Sequence, residues 1–378
     1  MDKETLSNYG WIVICVLVLA VMIALATPFG SYISGAVKST TAGLFETNRS
    51  ALNSTGLIDI DGQQFDGDPI VRSGKIVKAA KYTKADGTTL EGNGTNTLPD
   101  APAAGDVYEE GDYKYTYNPG QGGYSVYGTE WSVKVKDTSK TSYGEILSEI
   151  AGKPVTHMVH TFNGCTSLTV APTIPNSITN INFTFKGCTA LTTAPTIPNS
   201  VINMDSTFYG CTALAAAPEI PNSVTSMDST FQNCTSLTTA PVIPNSVTDM
   251  TYTFSDCTSL TTAPEIPNSV TSMVFTFADC TSLKTAPVIP NTVWSMSYTF
   301  RGCTSLTTAP VIPRSVTNIC STFSGCTSLA GSIKINANPV TYDCCLKDTQ
   351  ITEITGSTTM KAKILATKNQ QNPVDPWF

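Results

Sequence analysis

Apolar positions along the chain fall into three regimes. Trp11 to Ala26 (WIVICVLVLAVMIALA) is an unbroken apolar run of 16 residues, about 24 Å as a helix and shorter than the roughly 30 Å hydrocarbon core of a bilayer. Phe29, Ile33, Val37 and Leu44 then recur at helical intervals, so the apolar stripe continues past Pro28 and predicts one long N-terminal apolar helix. Between Asp106 and Lys136 apolar and polar residues alternate (DYKYTY, YSVY, EWSVKVK) around a glycine-containing NPGQGG turn, the pattern of a β-meander. Its Tyr and Trp rings read first as the packed face of a small sheet, ahead of a carbohydrate platform. Ser142 to Ala151 (SYGEILSEIA) reads as a short capping helix. From about residue 155 the apolar positions repeat every 23 residues, a period that belongs to a stacked repeat and not to a single helix or strand.

Aligned on cysteine, the unit reads C-T-S-L-T-T-A-P-x-I-P-N-S-V-T-x-M-x-x-T-F-x-x, with its cysteines at 165, 188, 211, 234, 257, 280, 303 and 326. One such unit cannot bury its own apolar face. Stacked units place like over like, so Leu260, Ile266, Val270, Met273 and Phe277 each join a ladder of the same residue type in neighbouring coils. Proline, asparagine and serine in steps such as Pro244-Asn245-Ser246 supply the turns. Cys165, Cys188, Cys211, Cys234, Cys257, Cys280, Cys303 and Cys326 read as a structural ladder, because a buried thiol behaves as a small hydrophobe with a weak donor.

The eight copies, especially V-T-x-M-x-x-x-F-x-x-C-x-x-L, resemble the BspA-like leucine-rich-repeat proteins of bacterial surfaces. Steps such as Ala240-Pro241 depart from the common form by standing where a strand leucine or isoleucine belongs. The resemblance implies a leucine-rich-repeat solenoid of parallel β coils. With a small β-rich cap before it and the long apolar helix, the expected class is α+β overall. The expected organisation is 1–54 apolar and amphipathic helix, as membrane anchor or filament core; 55–105 Gly/Asp-rich linker with short strands; 106–154 β-rich cap; 155–330 solenoid of eight repeats; and 331–378 C-terminal cap and disordered tail.

Charge and chemistry narrow the function. A formal charge of −7 with no cluster of Lys and Arg argues against nucleic acid. Cysteines at a fixed 23-residue interval lack the close pairs of a zinc site, so no metal and no cofactor are expected. Cys320, Cys344 and Cys345 have the makings of one disulfide in the terminal cap. Only two histidines occur, His157 and His160, without a partnered nucleophile, and eight equivalent coils offer no unique cleft, so the chain is not read as an enzyme. Stacked Thr-Ser and Thr-Thr steps also allow a lesser reading, hydroxyl ladders of the kind found on ice-binding solenoids.

Variation among the copies points to a surface. It concentrates at the two positions after Met and at the position two before Cys, and the residues chosen there as binding candidates are Phe183, Lys186, Tyr209, Tyr252, Phe275, Tyr298 and Arg301. Exposed aromatics at changing positions suit a protein or glycan ligand. Asp2 and Glu4 against Lys3 favour a retained anchor over a cleaved signal peptide. The expectation is therefore an extracellular repeat protein on the bacterial cell surface, tethered to the membrane by its N-terminal helix and mediating adhesion or ligand recognition. The alternative is a subunit of a pilus-like filament, self-assembled through that helix, although Cys15 stands where type IV pilins carry Glu.

Overall fold

The structure is a computed structural model and describes residues 58–60, 63–65, 70–72, 75–77, 81–91, 103–118, 130–150 and 153–369. Two antiparallel hairpins come first, β1 (Ile58–Ile60) with β2 (Gln63–Phe65) and β3 (Ile70–Arg72) with β4 (Lys75–Val77). A seven-stranded sheet follows, built from β5 (Lys81–Thr83), β6 (Thr89–Glu91), β7 (Val107–Glu110), β8 (Tyr113–Asn118), β9 (Glu130–Val135), β10 (Glu149–Ile150) and β11 (Lys153–His157) in the order β10-β11-β9-β8-β7-β5-β6. Two of these strands, β5 and β6, fall in the stretch read as linker.

Every pairing in this sheet is antiparallel except β11 with β9. That one parallel pairing launches the solenoid. His157 at the end of β11 bridges in parallel to Asn180, and the same bridge recurs coil by coil to Asn318 and Thr341. Tyr108, Tyr113 and Tyr115 are fully buried on the packed face, and Tyr113 meets Phe162 of the first coil edge-on at 6.3 Å. These rings are the lid of the repeat core and present no platform to a sugar.

The coils are runs of turns, not the parallel strands expected. Each is tied to the next by isolated bridges in two columns, one through Thr193, Ala216 and Thr239, the other through Asn180, Asn203 and Ser226. Proline explains the correction: the Ala-Pro and Ile-Pro steps remove two N–H donors per coil, so no continuous ladder can propagate between the columns. The core is a set of vertical columns instead. Phe162 to Phe323 stack ring over ring at 5.3–5.7 Å with planes within 3–6°.

Buried polar groups pair between coils. Thr184 Oγ1 donates to the Met158 carbonyl of the preceding coil at 2.7 Å, and Cys188 Sγ to the Phe162 carbonyl at 3.1 Å. The thiol contact repeats in every later copy, through Cys211, Cys234, Cys257, Cys280, Cys303 and Cys326. Burial raises these thiols, Cys211 and Cys326 to about 12, so they stay protonated as donors and are inert as nucleophiles.

Coil geometry outlasts the sequence repeat. Phe323 N–H bonds the Cys345 carbonyl at 2.9 Å and Gly325 N–H the Lys347 carbonyl at 2.9 Å, which makes a ninth coil with Leu346 in the phenylalanine column and Thr349 in the cysteine column. A parallel pair, β12 (Ala330–Lys334) with β13 (Gln350–Thr355), and the helix α1 (Lys361–Ala366) close the end.

Two helical expectations are corrected. Among the described residues the expected α+β class gives way to β strands and turns, since α1 and the 3₁₀ turn Thr367–Asn369 are the helices there. None of these is long and apolar enough to cross a membrane. The stretch 1–54, and with it the expected anchor or filament core, lies outside the described residues, as does the tail 370–378. Ser142 to Ile150 is not helical either: Leu147 N–H is held by the Tyr115 hydroxyl at 3.1 Å and Tyr143 reaches Cys165 at 3.5 Å, so tertiary contacts spread the segment over the first coil.

Candidate functional site

The outward face opposite the proline steps is built by the segment from Met to Cys. In the first coil Met158, His160, Phe162 and Gly164 send their N–H groups to carbonyls of the next coil at 2.8–3.1 Å, while Thr161, Asn163 and Cys165 close turns within the coil at 3.0–3.3 Å. Alternate peptide planes therefore point along and across the solenoid axis. Reversing the plane this often requires left-handed residues, and two columns supply them.

One left-handed column obeys the expected chemistry. It holds Gly164, Gly187, Gly210, Asn233, Asp256, Asp279, Gly302, Gly325 and Asp348, the residue types that tolerate positive φ. The other does not. His160, Phe183, Ser206, Ser229, Tyr252, Phe275, Tyr298, Ser321 and Cys344 all adopt φ of 50–59°, with no glycine among them. A non-glycine residue there costs on the order of 1 kcal/mol, and this column meets that cost in nine successive coils.

The side chains of this column gather the predicted binding residues into two clusters. Toward the N-terminal end His160 stacks on Phe183 at 4.6 Å, and Lys186 Nζ lies 5.6 Å from the Phe183 ring centre and 4.4 Å from that of Tyr209. Toward the C-terminal end Tyr252, Phe275 and Tyr298 stack at 4.5 and 4.4 Å, with Arg301 on the same coil as Tyr298. Phe275 is 7% exposed and covered on both faces, so it offers at most an edge. Phe183, Lys186, Tyr209, Tyr252, Tyr298 and Arg301 are half-buried. Ser206 and Ser229 separate the two clusters.

Beside those serines lies a group that the sequence did not single out. Asp205 and Asp228 occupy one column on adjacent coils, and Asp249 stands next to them on the coil after. Burial is the main cause that raises the Asp205 and Asp228 carboxyls, and the neighbouring carboxylates add to it. Their signal was available, since aspartate at one repeat position in consecutive copies is spacing of the same kind that revealed the aromatics.

The histidines do not converge. His157 is buried with Nδ1 at 2.7 Å from the Thr156 hydroxyl, whereas His160 is exposed on the stack. Among the described residues no group of three or more His, Cys, Asp or Glu is arranged to hold a metal ion. The proline edge carries shallow open grooves of about 400–500 Å³, such as that lined by Pro195, Ile197, Pro198 and Pro218, which recur between coils and single out no one site.

Two overlapping matches to the model of the BspA type leucine rich repeat region, at residues 158–274 and 251–364, together span more than half of the 378 residues. The chain belongs to the BspA-type leucine-rich-repeat family. Among solved structures, this BspA-type chain is similar to a leucine-rich repeat protein from Bacteroides ovatus (20% identity over 65% of this chain and 79% of that one, TM-score 0.38). It is also similar to a Treponema protein, the T. pallidum leucine rich repeat protein (22% identity, 57% and 91%, TM-score 0.41). A third is a leucine rich cell surface protein from Faecalibacterium prausnitzii (16% identity, 71% and 98%, TM-score 0.27). No curated protein matches the sequence.

Proposed function

We propose that this BspA-type protein is a non-enzymatic recognition protein of a bacterial cell surface, mediating adhesion or ligand binding to an extracellular protein or glycan through the outward left-handed column. The observation that carries the reading is the contrast between the two left-handed columns. Where only the backbone matters the chain uses Gly, Asn or Asp; in the other column it keeps Phe, Tyr, His or Ser despite the conformational cost. Stacking returns part of that cost, but Ser206 and Ser229 show that the fold does without a ring at this position, so display of the rings gives a reason to keep them elsewhere. Membership of the BspA-type family and a surface with few charges, 13% over the chain, favour an extracellular location.

The test has two parts. Antibody raised against the repeats should label intact source cells, and labelling that appears only after lysis would defeat the surface assignment. The full chain should also adhere to extracellular matrix proteins or surface glycans of neighbouring cells, and the double variant Tyr252→Ser, Tyr298→Ser should lose most of that adhesion while keeping its circular dichroism spectrum. Undiminished adhesion by the folded variant would sink the assignment of the face.

A further inference from the structure

Positive charge gathers where the cap sheet meets the first two coils, in a chain whose formal charge is −7. Lys114 on β8 and Lys134 on β9 stand directly opposite each other and exposed, on the face away from the buried Tyr113 and Tyr115. Thr116 opposite Ser132 forms the next row of that face. From β9 the face runs onto the solenoid, because Thr161 Oγ1 donates to the Val133 carbonyl at 2.7 Å. There His160 is the first rung of the outward column, and Phe183 and Lys186 follow on the next coil. After burial, Lys134 and Lys186 are what lowers the His160 imidazole, so the ring stands in the field of both ammonium groups. These basic residues are 20 or more positions apart along the chain, which is why no basic cluster shows in the sequence.

Folding does not account for this corner. Like charges directly opposite on neighbouring strands oppose pairing, and no carboxylate relieves them. Among the described residues the ion pairs are Lys136 with Glu109 at 3.9 Å and Lys140 with Asp112. Glu109 is the residue opposite Lys114 on β7, yet its carboxylate is engaged by Lys136. Lys186 Nζ lies 4.4 Å from the Tyr209 ring centre, a contact that fixes the ammonium group without neutralising it. His160 is stacked on Phe183, and its Nδ1 lies 3.2 Å from the Asn163 amide nitrogen. Accepting that N–H places the ring proton on Nε2, where it is a further donor. Stacked rings also show solvent their edges, the positive rim of the quadrupole. Cations, donors and ring edges here all favour an anion.

We propose that Lys114, Lys134, His160 and Lys186, with the edges of Phe183 and Tyr209, bind an acidic polysaccharide, a chain of sugars that carries carboxylates on some of its rings. The inference rests on the recognition reading above and names the class of its ligand. Charge complementarity selects the sign. Extent selects a polymer, since cations on two strands about 4.8 Å apart and on two coils beyond them form a line longer than one small anion spans. Company selects sugar: Thr116, Ser132 and Asn163 set hydroxyls and an amide among the charges, matching a ligand whose hydroxyls outnumber its carboxylates. Nucleic acid fits less well. The faces of Phe183 and Tyr209 are taken by His160 and Lys186 and leave bases no platform, and the overall negative charge opposes a polymer with a phosphate on every unit.

The experiment uses the full chain and a fluorescent hyaluronan octasaccharide, in which glucuronic acid alternates with N-acetylglucosamine, beside the same octasaccharide with its carboxyls reduced to alcohols. Binding is read by anisotropy at about 50 and about 200 mM salt. The acidic form should bind, with affinity falling at least about threefold between the two salts, and the reduced form should not. Affinity should fall at least about tenfold in Lys134→Gln, Lys186→Gln. A control, Lys284→Gln, Lys334→Gln, removes the same charge from exposed positions further along the solenoid and should leave affinity within about twofold. Equal losses in the two double variants would reveal unspecific attraction and overturn the proposal. An acidic octasaccharide that does not bind, or an oligo-dT of equal length that binds more tightly than it, would overturn it as well. Adhesion lost in Tyr252→Ser, Tyr298→Ser but unchanged in Lys134→Gln, Lys186→Gln would overturn the acidic-sugar site alone; adhesion unchanged in both would overturn the recognition reading too.

Discussion

Along every coil the buried columns and the outward column obey opposite rules. Inside, position dictates residue: phenylalanine stacks on phenylalanine, and each thiol donates to a carbonyl one coil back. Outside, position dictates only the backbone, a φ near +55° shared by His160, Phe183, Ser206 and Tyr252, while the side chain is free to change. The difference shows how a repeat can vary its surface without touching its fold, because hydrogen bonds between coils use main-chain groups that no outward substitution removes.

The largest effect that would break this contrast is a core rung. Phe254 is fully buried between Phe231 and Phe277, at ring distances of 5.7 and 5.6 Å. Phe254→Ala should destabilise by about 3–5 kcal/mol in urea unfolding, and an unchanged midpoint would contradict the packed column.

A smaller effect separates the two left-handed columns. Gly210, at φ 71°, has room for a methyl group but not the conformational preference, so Gly210→Ala should cost about 1 kcal/mol. Ser206→Gly should be neutral or stabilising within the same range, since it relieves backbone strain while loosening the unfolded chain. A Ser206→Gly variant that melts as far below the native chain as Gly210→Ala does would refute the idea that the serine and aromatic column carries strain.

The smallest and most diagnostic effect is acid titration. Asp205, Asp228 and Asp279 have folded carboxyls raised mainly by burial, so the folded solenoid binds protons more tightly than the unfolded chain. Stability of the repeats should therefore rise as pH falls through those raised values toward the ordinary 3.8. In the cap sheet Asp112 is lowered, first by its Lys140 hydrogen bond, so its contribution is present above 3.8 and lost as pH falls below it through the folded value. Hydrogen exchange across this range should show the repeats tightening before the cap loosens; repeats that loosen first would reverse the assignment.

Much of this architecture was legible in the sequence, and the exceptions share a cause. Apolar residues at fixed 23-residue positions revealed the ladders because burial leaves a direct mark on composition, and variability at Phe183 or Tyr252 marked the outward face for the converse reason. The left-handed backbone beneath those rings left no mark, since sequence signals positive φ through Gly or Asn, and here the next coil's hydrogen bonds impose it instead. Strands were expected where Ala-Pro and Ile-Pro steps permit only single bridges. A helix was expected at Ser142 to Ala151, where Tyr115 and Cys165 override local preference. Asp205 and Asp228 recur at one repeat position and are as legible in the sequence as the aromatics.

Along the outward left-handed column, main-chain donors that face the following coil have a mechanical consequence. His160 N–H reaches Asn182, Phe183 N–H reaches Asp205 and Ser206 N–H reaches Asp228, so each coil is fastened to its successor like a tooth in a zipper. Tension applied at the C-terminal end would open the array one tooth at a time, each paying out a 23-residue loop of about 80 Å when straightened. A chain built this way yields gradually, lengthening under shear while the teeth not yet opened keep their rings in place.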